Sequence, residues 1–207
     1  METIAYVLLI LHIIAGMTCL FTGILAIAAK KGGKIHALSG NTYFYAMFTV
    51  IITALVLSIY RSNIFLLLIA SFSFYMAWAG VRSIRNKSLK ANLLDWIFLG
   101  VAVVTAASMI LTFNIILMVL GALFTVNVIQ EIRTFIQARK TEFEKTNKWI
   151  IRHIGMMLGS FIATNTAFLV TNVQDFNPEW LPWLAPTIVG TPLITYYTRR
   201  TIKKGIS

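Results

Sequence analysis

Residues 1–40, METIAYVLLILHIIAGMTCLFTGILAIAAKKGGKIHALSG, decide the fold class. An apolar run over about residues 3–29 is long enough for a helix to cross the roughly 30 Å of hydrocarbon in a bilayer. It lacks a positively charged n-region and an A-x-A-like cleavage site, and it exceeds a signal h-region. It therefore reads as a retained first span. Lys30, Lys31 and Lys34, set among Gly32, Gly33 and Gly40, then mark where the chain leaves the membrane before a second apolar run begins at His36.

The rest of the chain repeats this pattern. Of its 207 residues, 58% are hydrophobic and 12% are charged, whereas a soluble domain carries about a quarter charged residues. Too few charges remain for a wet surface. Seven spans are predicted, over about residues 3–29, 36–60, 63–84, 93–112, 115–137, 148–172 and 180–198. All should be helices, because in lipid a helix satisfies its backbone within the segment. Residues 93–137 exceed one span and divide at "TFN" (112–114). Residues 1–207 thus form a single all-α integral membrane domain. The inner loop 137–147 suits a short helical extension. Trp180 and Trp183, beside Pro178 and Pro182, suit an interfacial anchor, and Pro186 and Pro192 should kink the last helix. The single cysteine, Cys19, lies in the first span, so no intramolecular disulfide can form.

Charge supplies the orientation. Seventeen of the 18 Lys and Arg residues fall in the loops after the first, third and fifth spans or after the seventh, and only Arg61 falls on the other side. Cytoplasmic loops collect these residues. The N-terminus is accordingly expected outside and the C-terminus in the cytoplasm. The net charge of +11 is then a topology signal that also attracts anionic lipids. No nucleic-acid motif accompanies it.

Ionisable groups inside spans are costly and mark candidate sites. His36, Asp95, Glu131 and His153 all fall toward the inner ends of their spans. His12 lies about 17 residues above the inner end of the first span, about 25 Å at helical rise, and cannot share a site with His36. Helical spacing gives four polar stripes: His36, Gly40, Tyr43 and Met47; Ser71, Tyr75, Trp78 and Arg82; Asn127, Glu131 and Thr134; His153, Met157, Ser160 and Thr164. Such stripes should face protein or a cavity, where Ser, Thr and Asn join helices by hydrogen bonds.

Two chemical readings follow. In one, His36 and His153 bind haem b axially, with Arg82, Arg133 or Arg152 pairing with its propionates. In the other, His36, His153, Asp95 and Glu131 hold a transition-metal ion. Tyr75 and Trp78 would be cavity walls, and Tyr43, Asn127, Ser160 and Asn165 supporting or pathway groups. His12 would serve a separate outer site. The expected activity is membrane redox chemistry with a quinone or other small molecule. The alternatives are a small proton-coupled transporter or channel using Glu131 and His153 as a relay, and a metal-dependent membrane hydrolase.

The segment "LHIIAGMTCLFTGILAIAAKKGGKIHALSGNTYFYAM" resembles the opening of the domain of unknown function 2306 family of bacterial multi-spanning membrane proteins. That family's motif reads roughly as His, a Gly-bearing span, then GxxHRxxGRxY. His12, Gly33, His36, Gly40 and Tyr43 match it, while Ala37 and Asn41 stand where the motif has arginines. "RHIGMMLGSFIATNTAFLV" and "WLPWLAPTIVGTPLI" resemble later spans of the family. The resemblance implies a small polytopic protein without a settled activity, and it singles out His12, His36 and His153.

Overall fold

Seven helices dominate the described residues, and no strand is among them: α1 (Glu2–Ala28), α2 (Lys34–Tyr60), α3 (Ile64–Arg85), α4 (Leu93–Leu111), α5 (Ile115–Gln137), α6 (Lys148–Asn172) and α7 (Leu181–Lys204). The computed structural model describes residues 2–140, 142–143, 146–173 and 177–204. Six helices, α1 to α6, are long and apolar enough to cross a membrane. Their outward faces carry Ile4, Ile13, Phe21, Val104 and Leu111, all exposed. That apolar girdle belongs in a bilayer, since water would face it at great cost.

Helix α7 differs from the other six. Its last turns carry Arg199, Arg200 and Lys203, and Thr187, Thr191, Thr195, Thr198 and Thr201 recur along it. It reaches Lys204, beyond the predicted end at 198, and runs through Pro186 and Pro192.

Boundaries follow local chemistry. A helix start leaves backbone N–H groups without partners, and asparagine supplies acceptors at three of them. Asn63 accepts from the Leu66 N–H, Asn114 from those of Ile116 and Leu117, and Asn92 from that of Asp95. The Asp95 carboxylate accepts from the Asn92 N–H in return, closing a capping box. Gly32, at φ +75°, takes the left-handed turn between α1 and α2 that a side chain would resist.

In the loop between α5 and α6 the expected helical extension falls partly outside the described residues. Helix α5 stops at Gln137 and turns over residues 138–140 instead of extending. Thr141, Glu144 and Lys145 lie outside the described residues, as do Gln174, Asp175 and Phe176 of the loop between α6 and α7. Leu89, Ala138 and Phe143 form a small buried cluster against Trp149. In the first turn of α7 Trp183 packs edge-on to Phe65 at 5.4 Å, while Trp180, just before the helix, is exposed.

Helix α3 is the central post, packed on α2, α4 and α6. Its approach to α6 depends on Gly80, where a Cβ would lie 2.6 Å from the Met157 Sδ and 3.2 Å from the Met157 backbone nitrogen. The core around Phe124, Met109, Leu117, Leu99 and Ala79 joins α3, α4 and α5. Helix α5 packs chiefly along α4 and approaches α6 and α7 little. A cleft of about 700 Å³ results, lined by α3, α5, α6 and α7.

Candidate functional site

The α1–α2, α3–α4 and α5–α6 loops meet at one end of the bundle, together with the end of α7. Lys31 stands over the Tyr197 ring at 4.8 Å, and Lys87 over the Trp149 ring at 4.8 Å. This is the basic end, and His36 and His153 belong to it.

The segment KKGGKIHALSG closes α1. The last carbonyls of a helix lack intrahelical donors. Here the Lys31 ammonium donates to the carbonyls of Ala26 (3.0 Å) and Ile27 (2.5 Å), and the His36 Nδ1–H donates to Ala26 (2.9 Å). Partial burial of the Lys31 ammonium lowers its pKa. His36 therefore has a structural task, but one that uses only one ring nitrogen.

His153 is held in the same way. Its Nδ1 lies 2.9 Å from the Gly80 carbonyl of α3. A carbonyl only accepts, so Nδ1 carries the proton in each ring. In the neutral imidazole Nε2 is then left with its lone pair. Such bonds orient imidazole ligands in metal sites and raise their basicity. The rings lie with centroids 6.5 Å apart and planes at 82°. Thus the two histidines, 117 residues apart in sequence, converge at the basic end of α2 and α6.

The stripes above them meet as well. Tyr43 Oη lies 2.9 Å from Ser160 Oγ and 3.2 Å from Thr164 Oγ1, all buried. Asn165 spends its amide on the Phe161 carbonyl of its own helix. The faces predicted on α2 and α6 therefore meet, with the imidazoles at the basic end and a hydroxyl cluster about two turns further along the helices. His12 stands apart. Its Nδ1 bonds the Val50 carbonyl (3.1 Å) beside Thr53 Oγ1 (3.0 Å), on the part of α2 far from His36.

Asp95 and Glu131 do not join the histidines. Among the described residues no three His, Cys, Asp or Glu side chains group as a metal site, so the four-residue donor set is not assembled. Asp95 is held by Arg82 through two bonds of 2.8 and 2.9 Å, besides serving its capping box. Glu131 takes the Arg152 Nε at 2.8 and 2.9 Å, together with an Arg152 Nη2 contact and the Tyr75 hydroxyl at 3.2 Å. Arg152 also donates to the Ala79 carbonyl and Ser83 Oγ, each at 2.7 Å. With side-chain exposures of 8% for Arg152 and 3% for Glu131, this is a buried pair whose bonding groups are met.

These pairs correct further expectations. Arg82 and Arg152 are committed to carboxylates and are not poised for haem propionates. Tyr75 is a buried support for Glu131. Trp78 packs against Phe74 and Phe98, with centroids 6.4 and 4.8 Å away. Neither Tyr75 nor Trp78 lines the cleft, whereas Asn127 and Glu131 do. The cleft is lined by neither His36 nor His153.

Sequence reasoning missed two supports of the histidines, the carbonyls of Ala26 and Gly80. The basic stretch after α1 hinted at the first as a helix end in need of donors. Nothing local announced the second. The chain matches no family model, no curated protein and no solved structure.

Proposed function

We propose that the protein is a seven-span membrane redox protein in which His36 and His153 ligate one haem iron or other transition-metal ion near the cytoplasmic face. The supporting observation is the ring pair, each ring with Nδ1 tied to a carbonyl, at a centroid separation of 6.5 Å. Each ring would offer Nε2 as a ligand, since Nδ1 is spent on a backbone carbonyl.

Haem or another transition-metal ion would be held by His36 and His153. Two imidazoles are fewer than the three or four protein ligands that zinc takes. Bound haem supplies one-electron chemistry. The chain fixes both rings and keeps them between packed helices. Electrons would pass to and from a lipid-soluble carrier such as a quinone. The orientation, with the N-terminus outside and the C-terminus cytoplasmic in a bacterial inner membrane, rests on the placement of the basic residues. A place in the domain of unknown function 2306 family is a separate part of the proposal, supported by the resemblance at His12, Gly33, His36, Gly40 and Tyr43.

The transporter reading draws less support from the geometry. Its relay, Glu131, is held by Arg152 and Tyr75, so proton uptake there means opening a buried ion pair. The hydrolase reading lacks a third ligand among the described residues.

The test is an absorption spectrum with elemental analysis on detergent-purified protein, before and after haem reconstitution. A Soret band or one equivalent of a single transition metal per chain is expected. No Soret band after reconstitution, with sub-stoichiometric iron, copper and zinc, overturns the proposal.

A further inference from the structure

The cleft between α5 and the α6–α7 pair is separate from the histidines. Arg152 and His153 are successive residues, so they leave α6 about 100° apart. Arg152 faces the cleft and His153 faces α3 and α2.

Three properties describe its occupant. The first is shape. Its α6 wall runs from Lys148 to Thr171, about 35 Å at helical rise, so the cleft is a long slot that crosses most of the bundle. The second is chemistry along the slot. Phe65, Ile69, Phe72, Leu120 and Phe124 line it, and several of its polar groups bond inward. Asn127 donates to the Leu123 carbonyl, Thr134 to Gln130, Thr171 to Ala167 and Thr191 to Thr187. Each of these groups thus meets an acceptor within its own helix, which lowers the cost of hydrocarbon in the slot. The third is charge. The lining holds three cations, Arg133, Lys148 and Arg152, against one carboxylate, Glu131, and Arg152 neutralises that carboxylate. Arg133 and Lys148 are exposed at the basic end, with Gln137 beside them. A slot that is apolar along its length and cationic at one mouth complements an amphiphile with an anionic head.

We propose that this cleft is a binding site for one anionic phospholipid, its phosphate held by Arg133 and Lys148 and a chain laid between α5 and the α6–α7 pair. The site rests on the cleft alone and stands or falls independently of the histidine pair.

Native mass spectrometry of the full-length, delipidated protein tests it, with phosphatidylglycerol or phosphatidylcholine added at equal concentration. One phosphatidylglycerol should stay bound where phosphatidylcholine does not. Losing Arg133 and Lys148 together (R133Q/K148Q) should weaken its retention about twenty-five-fold, at about fivefold for each surface cation. Ala163→Phe, which fills the slot without touching a charge, should also remove the bound lipid. Lys90→Gln, a basic-loop change outside the cleft, should leave retention unchanged. Equal retention of the two lipids, or a loss in K90Q equal to that in R133Q/K148Q, would show non-specific surface attraction and overturn the site. Retention in A163F would do the same. Circular dichroism confirms that each variant remains helical.

Discussion

Neutralising Glu131 strands a guanidinium inside the bundle. In Glu131→Gln, Arg152 keeps the Ala79 carbonyl and Ser83 Oγ as partners but loses its counter-charge. Breaking a buried pair by removing one partner costs about 3–5 kcal/mol. For a chain of this size each kcal/mol shifts the midpoint by about 2–4 °C, so a fall of about 6–20 °C is expected. Removing both charges, in Glu131→Leu with Arg152→Met, leaves chiefly the Tyr75 hydroxyl without its acceptor, a loss of about 1–2 kcal/mol. The double variant should therefore be more stable than E131Q. Asp95→Asn supplies the contrast. Arg82 is 22% exposed and can be rehydrated, so that change should cost about 1 kcal/mol. Thermal unfolding in one detergent, followed by tryptophan fluorescence, measures all three. The reasoning fails if E131Q shifts the midpoint by less than about 2 °C, or if the double variant falls as far as E131Q.

Gly80→Val forces a Cβ toward the Met157 backbone and should destabilise the protein by about 1–3 kcal/mol. It should also weaken metal or haem retention by lengthening the His153 bond to the Gly80 carbonyl; unfolding together with cofactor content reports both effects. Tyr43→Phe removes the hydroxyl shared with Ser160 and Thr164 and should cost about 1 kcal/mol while leaving cofactor content unchanged. A loss of the cofactor in Y43F would show that the hydroxyl cluster belongs to the site.

Helix positions were legible because hydropathy and turn chemistry agree. The "TFN" split is realised with Asn114 capping α5 and Phe113 at φ 54°, and most helix limits lie within two residues of the predicted spans. The polar stripes on α2 and α6 were legible for the same reason, since helical spacing places His36 with Tyr43 and His153 with Ser160. Which stripe would meet which depends on helix order around the bundle, and spacing carries no such information. The carboxylates show where residue type alone misleads. Asp95 sits three residues after Asn92, a start-of-helix pattern, and is spent there and on Arg82. Glu131 finds Arg152 across a loop because both occupy the same depth. The cleft could not be read at all, because it exists through the distance of α5 from α7.

The most direct test of the histidine pair is low-temperature electron paramagnetic resonance on the oxidised, haem-reconstituted protein and on the variants His36→Ala, His153→Ala and His12→Ala. Haem held by both His36 and His153 would give a low-spin ferric signal. That signal should persist in H12A and convert to high spin or vanish in both H36A and H153A. A signal lost in H12A but unchanged in H36A and H153A would contradict the account.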